Sequence, residues 1–108
     1  MNTTLIIGNL TRDAELRFTQ KGDPVCNFTV AWNNWRKGDD QGHFFDCVLW
    51  GNPAQALAEK LKKGLKVGVT GELHQRRWND KDGKSRESVE ITVSEVDFMP
   101  IHKDEPDD

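Results

Sequence analysis

Two of the four tryptophans in this 108-residue chain stand directly beside basic residues. Trp35 is followed by Arg36, and Trp78 is preceded by the pair Arg76-Arg77. Tryptophan offers the largest π-face for stacking on an unpaired base, and an adjacent cation neutralises a phosphate. The two positions therefore favour a surface that contacts single-stranded nucleic acid over a place in the core.

A second group of aromatic residues lies between Phe44 and Trp50, in a segment that is apolar on both faces of a strand. Only one face of such a strand can lie in the core of a small barrel. We expect the face of Phe44 and Trp50 to lie outside, because it also carries Asp46. The inward face then carries Phe45, Cys47 and Leu49. The pattern alone leaves open whether Phe44 and Trp50 meet a ligand.

The charge distribution favours a polyanionic partner, although the whole chain carries a formal net charge of −3. The last six residues alone hold four acids and one lysine, whereas residues 60–86 hold nine basic residues against three acidic ones. A chain with a negative net charge can bind a polyanion through such a basic stretch, because the local field decides. For Lys60, Lys62 and Lys63, the pattern alone favours a solvated helix end.

The sequence contains none of the motifs that support catalysis, so we expect neither enzymatic activity nor a cofactor. Asp80 and Asp82 could chelate a cation, but acids are ordinary in hairpin turns, and we expect no metal site. Cys26 and Cys47 are expected to be small buried hydrophobes, which excludes a nucleophilic pair of Cys47 with His43. No apolar run nears the length of a membrane helix and no signal-peptide pattern opens the chain, which predicts a soluble, cytoplasmic protein.

Alternation of apolar residues with period two dominates the chain and predicts five strands. The strands fall at residues 4–10, 26–32, 44–50, 67–73 and 89–93. Gly8 predicts a bend or bulge in the first strand. Trp32, in phase with Phe28 and Val30, is expected in the core. Residues 79–83 predict a hairpin turn, which sets Trp78 near an exposed tip.

One short helix is predicted between the third and fourth strands. Asn52 is expected to cap its N-terminus, with Pro53 at the first helical position and Gly64 ending it in a left-handed conformation. The order strand, strand, strand, helix, strand, strand is that of a five-stranded OB-fold barrel, an all-β fold in which the helix covers one open end.

Several short segments, taken in chain order, form a recognisable pattern. They are Leu5-Ile-Ile-Gly-Asn-Leu-Thr-Arg-Asp-Ala-Glu-Leu-Arg17, Phe28-Thr-Val-Ala31, Val48-Leu-Trp-Gly51, Leu61-Lys-Lys-Gly64, Gly71-Glu-Leu73 and Arg76-Arg-Trp-Asn-Asp80. This ordered set resembles the bacterial single-stranded DNA-binding proteins, and the resemblance runs from Leu5 to about Val96.

The resemblance implies an OB-fold domain over residues 1–99 that assembles as a homotetramer. Such a domain binds and protects single-stranded DNA without strong sequence preference during replication, recombination and repair. Bases would stack on the aromatic residues at matching positions: Trp35, Phe44, Trp50 and Trp78. Phosphates would contact the basic residues at matching positions: Arg36, Lys62, Lys63, Arg76, Arg77 and Arg86. The resemblance thus favours ligand contact for the aromatic residues and lysines that the pattern alone left open.

The chain departs from the family pattern at three positions and at its end. Thr3 stands where a basic residue is common, and Ala14 where proline is common. His74 stands where arginine is frequent, which predicts one weaker, pH-sensitive phosphate contact. Residues 100–108 form a short acidic tail, expected to be disordered, without the linker and apolar tip through which the family recruits replication and repair proteins. A trimmed chain and a naturally short variant both remain open.

Other functions fit the same residues. One alternative is a replication-restart accessory or an RNA-preferring OB protein that uses the same face. Another is a structural, protein-interaction OB module whose exposed aromatic residues form an interface. That module predicts binding insensitive to salt and no quenching of tryptophan fluorescence by oligonucleotides. The DNA-binding interpretation places the protein in the cytoplasm, associated with the nucleoid.

Overall fold

The computed structural model describes residues 1–33 and 42–100. Within these ranges the chain forms six strands and one helix. The strands are β1 (Thr4–Leu10), β2 (Glu15–Phe18), β3 (Pro24–Asn33), β4 (Gly42–Trp50), β5 (Lys66–Asn79) and β6 (Ser85–Phe98). The helix, α1 (Asn52–Leu57), lies between β4 and β5.

The strands form one closed sheet in the order β1-β5-β6-β4-β3-β2, and a further pairing of β1 with β3 closes it. β1 pairs with β5 along residues 4–9 but with β3 only through Asn9 and Leu10. β4 and β6 run parallel where they pair. This arrangement confirms the predicted OB-fold.

A sixth strand, β2, is added to the five that the sequence predicts. Its four residues are all exposed, and they pair with β3 from Glu15 opposite Asn27 to Phe18 opposite Pro24. Strands of three or four residues lie at the short end of the usual range. Alternation over Leu16 and Phe18 alone is therefore too weak a signal to predict a strand.

Side chains from the strands, from α1 and from the segment that follows α1 fill the barrel. Phe28, Val30, Val69 and Ile91 are at most 1% exposed, and the same cluster includes Ala54, Ala58 and Leu61. Cys26 and Cys47 are buried and free, which confirms their prediction as small hydrophobes. Burial, together with the nearby charge of Asp46, raises the pKa of the Cys47 thiol to about 12. At neutral pH this thiol is therefore protonated, and a protonated thiol is a poor nucleophile.

The helix is shorter than predicted. Its N-cap is Gly51, one residue earlier than expected, and Pro53 occupies the second helical position. It ends at Leu57 because the following segment is tied to β1: the Gly64 N–H donates to the Leu10 carbonyl at 2.8 Å. Gly64 has the predicted left-handed conformation, with φ of 87°, but in the turn after the helix. No helix in the two described ranges is long and apolar enough to cross a membrane.

The sequence predicts a bend or bulge at Gly8. β1 pairs with β5 there without a shift in register, so the bulge is wrong. A Cβ atom at Gly8 would overlap the carbonyl oxygen of Ala31 in β3. Glycine is required because β3 passes close to β1, where the barrel closes. The irregularity in the sheet lies instead in β5, where the register shifts between Thr70 and Gly71.

The distal halves of β5 and β6, residues 72–79 and 85–90, extend beyond the barrel as a hairpin that we call the β5–β6 arm. All residues of β5 from Glu72 to Asn79 are exposed. Val89 is 52% exposed although it is in phase with the core residues Ile91 and Val93. The predicted turn is confirmed: the Asp80 N–H donates to the Lys84 carbonyl at 2.9 Å.

Candidate nucleic-acid interface

β4 presents two aromatic side chains on its outer face. Phe44 is 65% exposed and Trp50 is 49% exposed. Successive residues of a strand point to opposite sides, and Cys47 and Leu49 are accordingly buried, while Phe45 packs partly buried against the core. The choice of inward face made from the sequence is confirmed.

The outer face of β4 continues across β6 onto the β5–β6 arm. Residues paired across neighbouring strands point to the same side of a sheet. Asp46 of β4 pairs with Glu90 of β6, which pairs in turn with His74 of β5. Steps of two along β5 and β6 bring four further side chains to this side: Arg76, Trp78, Ser88 and Arg86. We call this continuous surface the aromatic face, after its three aromatic residues Phe44, Trp50 and Trp78.

Arg76 and Trp78 form a paired element on the aromatic face. The guanidinium carbon of Arg76 lies 5.5 Å from the centroid of the Trp78 ring. Trp78 is 43% exposed, as predicted for a residue near the hairpin tip. The cation–π contact stabilises the orientation of the indole and keeps a positive charge beside it. The pair therefore combines a plate for stacking with a cation for phosphate.

Arg86 also lies on the aromatic face, but it is bound to the hairpin turn. Its Nε donates to Oδ2 of Asp80 at 2.8 Å, while the backbone N–H groups of Asp82 and Lys84 donate to Oδ1. These hydrogen bonds, that of Arg86 foremost, lower the pKa of Asp80. Asp80 is therefore a turn-forming carboxylate, and within the described ranges no three or more metal-ligating side chains cluster.

Arg77 lies on the opposite side of the β5–β6 arm from Arg76. Its Nε donates to the Glu87 carboxylate at 3.3 Å, and its terminal nitrogen donates to Gln75 at 3.0 Å. The structure therefore does not bring Arg77 together with the three aromatic residues. Its guanidinium is hydrogen-bonded to Glu87 and Gln75, which lie on the same side of the arm as Arg77.

Lys62 and Lys63 lie in the segment that follows α1, and both are exposed. The Lys63 N–H donates to Asp13 at 2.9 Å, and the Lys62 ammonium lies 4.0 Å from the same carboxylate. Asp13 therefore neutralises part of this charge. The two lysines lie next to the chain segment that contains Arg12 and Asp13.

A polar groove crosses the aromatic face and contains two arginines that the sequence analysis missed. Arg12 and Arg17 line it together with Arg76. Arg17 is held by a hydrogen bond from its Nε to Asn27 at 3.1 Å. The acidic side chains that line the same groove are Glu15, Asp46 and Glu90. Pairing of β2 with β3 brings Arg17 here, and without that strand the sequence offered no signal for it.

His74 lies on the aromatic face beside an acidic partner. Its Nε2 is 3.2 Å from Glu72 Oε1, and both side chains are exposed. A phosphate that approaches His74 must therefore compete with this carboxylate.

Two predicted site residues, Trp35 and Arg36, fall at positions 34–41, outside the described residues. Trp32, expected in the core, is 39% exposed, and that expectation is wrong. Its ring lies 5.3 Å from that of His43, at a tilt of 46°. Trp32 points to the inner side of β3, but it lies beyond the filled part of the barrel, in an apolar cleft with Leu5 and Ile7.

A closed barrel with this strand order makes the chain an OB-fold protein. The model of the single-strand binding protein family matches residues 1–99, and the chain belongs to that family.

The chain is similar to proteins named single-stranded DNA-binding protein from several bacteria. It is 45% identical to that of Treponema pallidum over 103 residues, which are 92% of this chain and 58% of the relative. The protein of Oceanobacillus iheyensis is 37% identical, over 92% of this chain and 63% of the relative. Single-stranded DNA-binding protein 2 of Clostridium acetobutylicum is 36% identical, over 96% of this chain and 80% of the relative. The chain thus spans less than two thirds of the first two relatives.

Proposed function

We propose that the chain binds single-stranded DNA through the aromatic face, without strong sequence preference, and protects it during replication, recombination and repair. The observation that carries the proposal is the presence of Phe44, Trp50, Trp78 and Arg76 on one face. Membership of the single-strand binding protein family and the names of the relatives support the same ligand.

Each aromatic side chain of the face offers a plate for one base. Stacking on such a side chain contributes about 1–3 kcal/mol per base and tolerates every base, because each has a π-face. Phe44 and Trp50 are held on a strand of the barrel, and Trp78 is held by Arg76. Trp35 is proposed as a fourth stacking residue on the sequence resemblance alone.

Basic side chains around the face would follow the phosphate backbone. Arg76 and Arg86 lie on the aromatic face, and Arg12 and Arg17 line the groove that crosses it. The resemblance adds Arg36, Lys62 and Lys63 to this set. It also matches Arg77, but that guanidinium pairs with Glu87 on the other side of the arm, and we expect it to contribute little to phosphate binding. Neutralisation of phosphates releases counterions, so the affinity falls as the salt concentration rises.

Self-association into a homotetramer is the second part of the proposal, and it rests on the resemblance. One feature of the fold supports it: β1 pairs with β5 along residues 4–9, and among residues 1–33 and 42–100 no strand pairs with its other edge before Asn9. Leu5 is 66% exposed and Ile7 is 42% exposed beside that edge. An open apolar edge of this kind accepts a strand from a second copy. Sedimentation of the full chain against that of Ile7→Glu tests it, since the variant should dissociate to smaller species.

The remaining parts of the proposal concern the cellular role. We expect a binding protein without enzymatic activity, which acts in the cytoplasm on nucleoid DNA and works beside replication and repair proteins. Incubation of labelled single-stranded DNA with the protein and Mg²⁺ should leave the DNA intact. Cleavage that followed the protein through purification would contradict this.

Titration of the intrinsic tryptophan fluorescence with oligo(dT), at low and at high salt, tests the main proposal. We expect strong quenching that saturates at a defined oligonucleotide length, with an affinity that falls as salt rises. The absence of quenching at low salt would leave an OB-fold used for protein contacts. A parallel titration with oligo(U) separates an RNA-preferring protein, which would bind the RNA more tightly.

A further inference from the structure

A carboxylate lies between the two aromatic residues of β4. Asp46 shares their face, two residues from Phe44 and four from Trp50, and it is exposed. Two residues along a strand correspond to about 7 Å, which is within reach of the edge of a base stacked on Phe44. Glu90 of β6 is its direct neighbour across the parallel pairing. An acidic position here is unexpected on a surface that must attract phosphates.

Thr29 fixes the orientation of this carboxylate. Thr29 lies directly opposite Asp46 in the pairing of β3 with β4, and its hydroxyl donates to Oδ1 at 3.0 Å. Arg17, which lines the same groove, donates to Asn27 instead. Within residues 1–33 and 42–100, no other hydrogen bond or ion pair involves Asp46, so its second oxygen is open to the groove.

The chemistry of an ionised carboxylate decides which bases it accepts. It offers only acceptors, so it requires a donor on the base edge. Cytosine presents the N4 amino group, adenine the N6 amino group, and guanine amino and ring N–H donors. Thymine presents a carbonyl oxygen where cytosine has its amino group. Its one ring donor, N3–H, lies between two carbonyl oxygens, and these repel an approaching carboxylate.

We propose that Asp46, positioned by Thr29, gives the stacking site at Phe44 a preference for bases with an exocyclic amino group over thymine and uracil. This inference rests on the proposed binding of single-stranded DNA by the aromatic face. It is a preference for base composition at one site, and the other stacking positions stay indifferent to the base. Asp46 also repels phosphates, which turns the base edges toward the sheet and the backbone toward the arginines.

The test compares oligo(dC) with oligo(dU) of equal length, because these pyrimidines differ at the edge that Asp46 meets and uracil lacks the thymine methyl group. Affinities of the full chain are measured by tryptophan quenching at about pH 7.5. Asp46→Asn should lower the ratio of the oligo(dC) to the oligo(dU) affinity by about fivefold or more. Thr29→Val should lower the ratio in the same direction but less. Glu59→Gln, which removes an exposed carboxylate beside α1, should leave the ratio unchanged.

The outcomes separate this inference from the proposed function. Wild-type protein that binds neither oligonucleotide would contradict the proposed function itself. An Asp46→Asn variant that gains affinity for both oligonucleotides equally would mean that the carboxylate only repels phosphates, which overturns the inference. An unchanged ratio in Asp46→Asn, with wild-type affinity for both, overturns it as well.

Discussion

Arg76 and Arg77 are consecutive residues of β5, and their side chains lie on opposite sides of the β5–β6 arm. Arg76 lies over Trp78 on the aromatic face, whereas Arg77 pairs with Glu87 on the other side. The alternation of a strand therefore divides a basic pair that looks uniform in the sequence. We therefore expect Arg76 to contact a phosphate beside a stacked base, and Arg77 to stay paired with Glu87.

The first prediction compares these two arginines. Arg76→Ala should weaken binding of single-stranded DNA and reduce the slope of log K against log salt by about 0.7, the loss of one phosphate contact. Arg77→Ala should leave this slope unchanged, because its partner Glu87 lies away from the aromatic face. The measurement is a set of titrations with oligo(dT) over a range of salt concentrations. Equal slopes in the two variants would mean that the DNA wraps around both sides of the arm.

The second prediction concerns stacking. Trp78→Ala and Phe44→Ala should each weaken binding by about 1–3 kcal/mol with little change in the salt slope, because an aromatic plate is lost and no charge. Trp32→Phe is the matched control: Trp32 is a partly exposed tryptophan in the apolar cleft, away from the aromatic face. The control should keep its affinity for oligo(dT). A larger loss in Trp32→Phe than in Trp78→Ala would move the binding surface to the cleft.

The sequence predicts the barrel because its signals are local and consistent. Both faces of β4 carry apolar residues. Asp46 marks one face as the outer one, so Phe45, Cys47 and Leu49 are assigned to the inward face. The turn at Asp80 is equally local. The position of Trp32 could not be predicted in this way. It alternates in step with core residues of β3, and only the three-dimensional structure shows that it lies beyond the filled interior of the barrel.

The candidate site was predicted only in part, because some of its residues are placed by contacts between distant parts of the chain. Trp78 follows from its nearness to a turn, but the separation of Arg76 from Arg77 requires the register of β5 against β6. Arg17 reaches the groove only because β2 pairs with β3, and β2 is too short to be predicted from alternation. The requirement for Gly8 arises from a contact with Ala31 far away in the sequence, which local periodicity cannot detect.

The third prediction tests this close approach. Gly8→Ala should lower the free energy of unfolding by about 2 kcal/mol or more, because the new methyl group meets the Ala31 carbonyl and forces β1 from β3. Gly22→Ala is the control, since Gly22 has φ of 89° and open space around its Cα. Its cost should be about 1 kcal/mol, from backbone strain alone. Urea denaturation measures both, and an equal cost would mean that β1 shifts freely.

The fourth prediction uses the buried thiol of Cys47. Its pKa is raised from 9.0 to about 12, so above pH 9.0 the unfolded chain loses the proton while the folded chain keeps it. This contribution to stability is full below the unfolded value and falls as the pH rises toward 12. Wild-type protein should lose about 2 kcal/mol relative to Cys47→Val at about pH 10.5, by urea denaturation in reductant. A constant difference between the two proteins across this range would contradict the assignment.

The fifth prediction concerns Asp80, whose pKa is lowered from 3.8 mainly by the hydrogen bond from Arg86. A carboxyl group with a lowered pKa in the folded state stabilises the fold above its ordinary value and loses this effect as the pH falls through the lowered one. The unfolding free energies of wild type and Asp80→Asn should therefore converge as the pH drops below about 3.8. Asp23→Asn serves as a control at another turn. If the difference between wild type and Asp80→Asn stays constant with pH, the turn is held by its backbone hydrogen bonds and the charge of Asp80 is irrelevant to it. Convergence would instead show that the carboxylate fixes the turn, and with it the position of Arg86 beside Trp78.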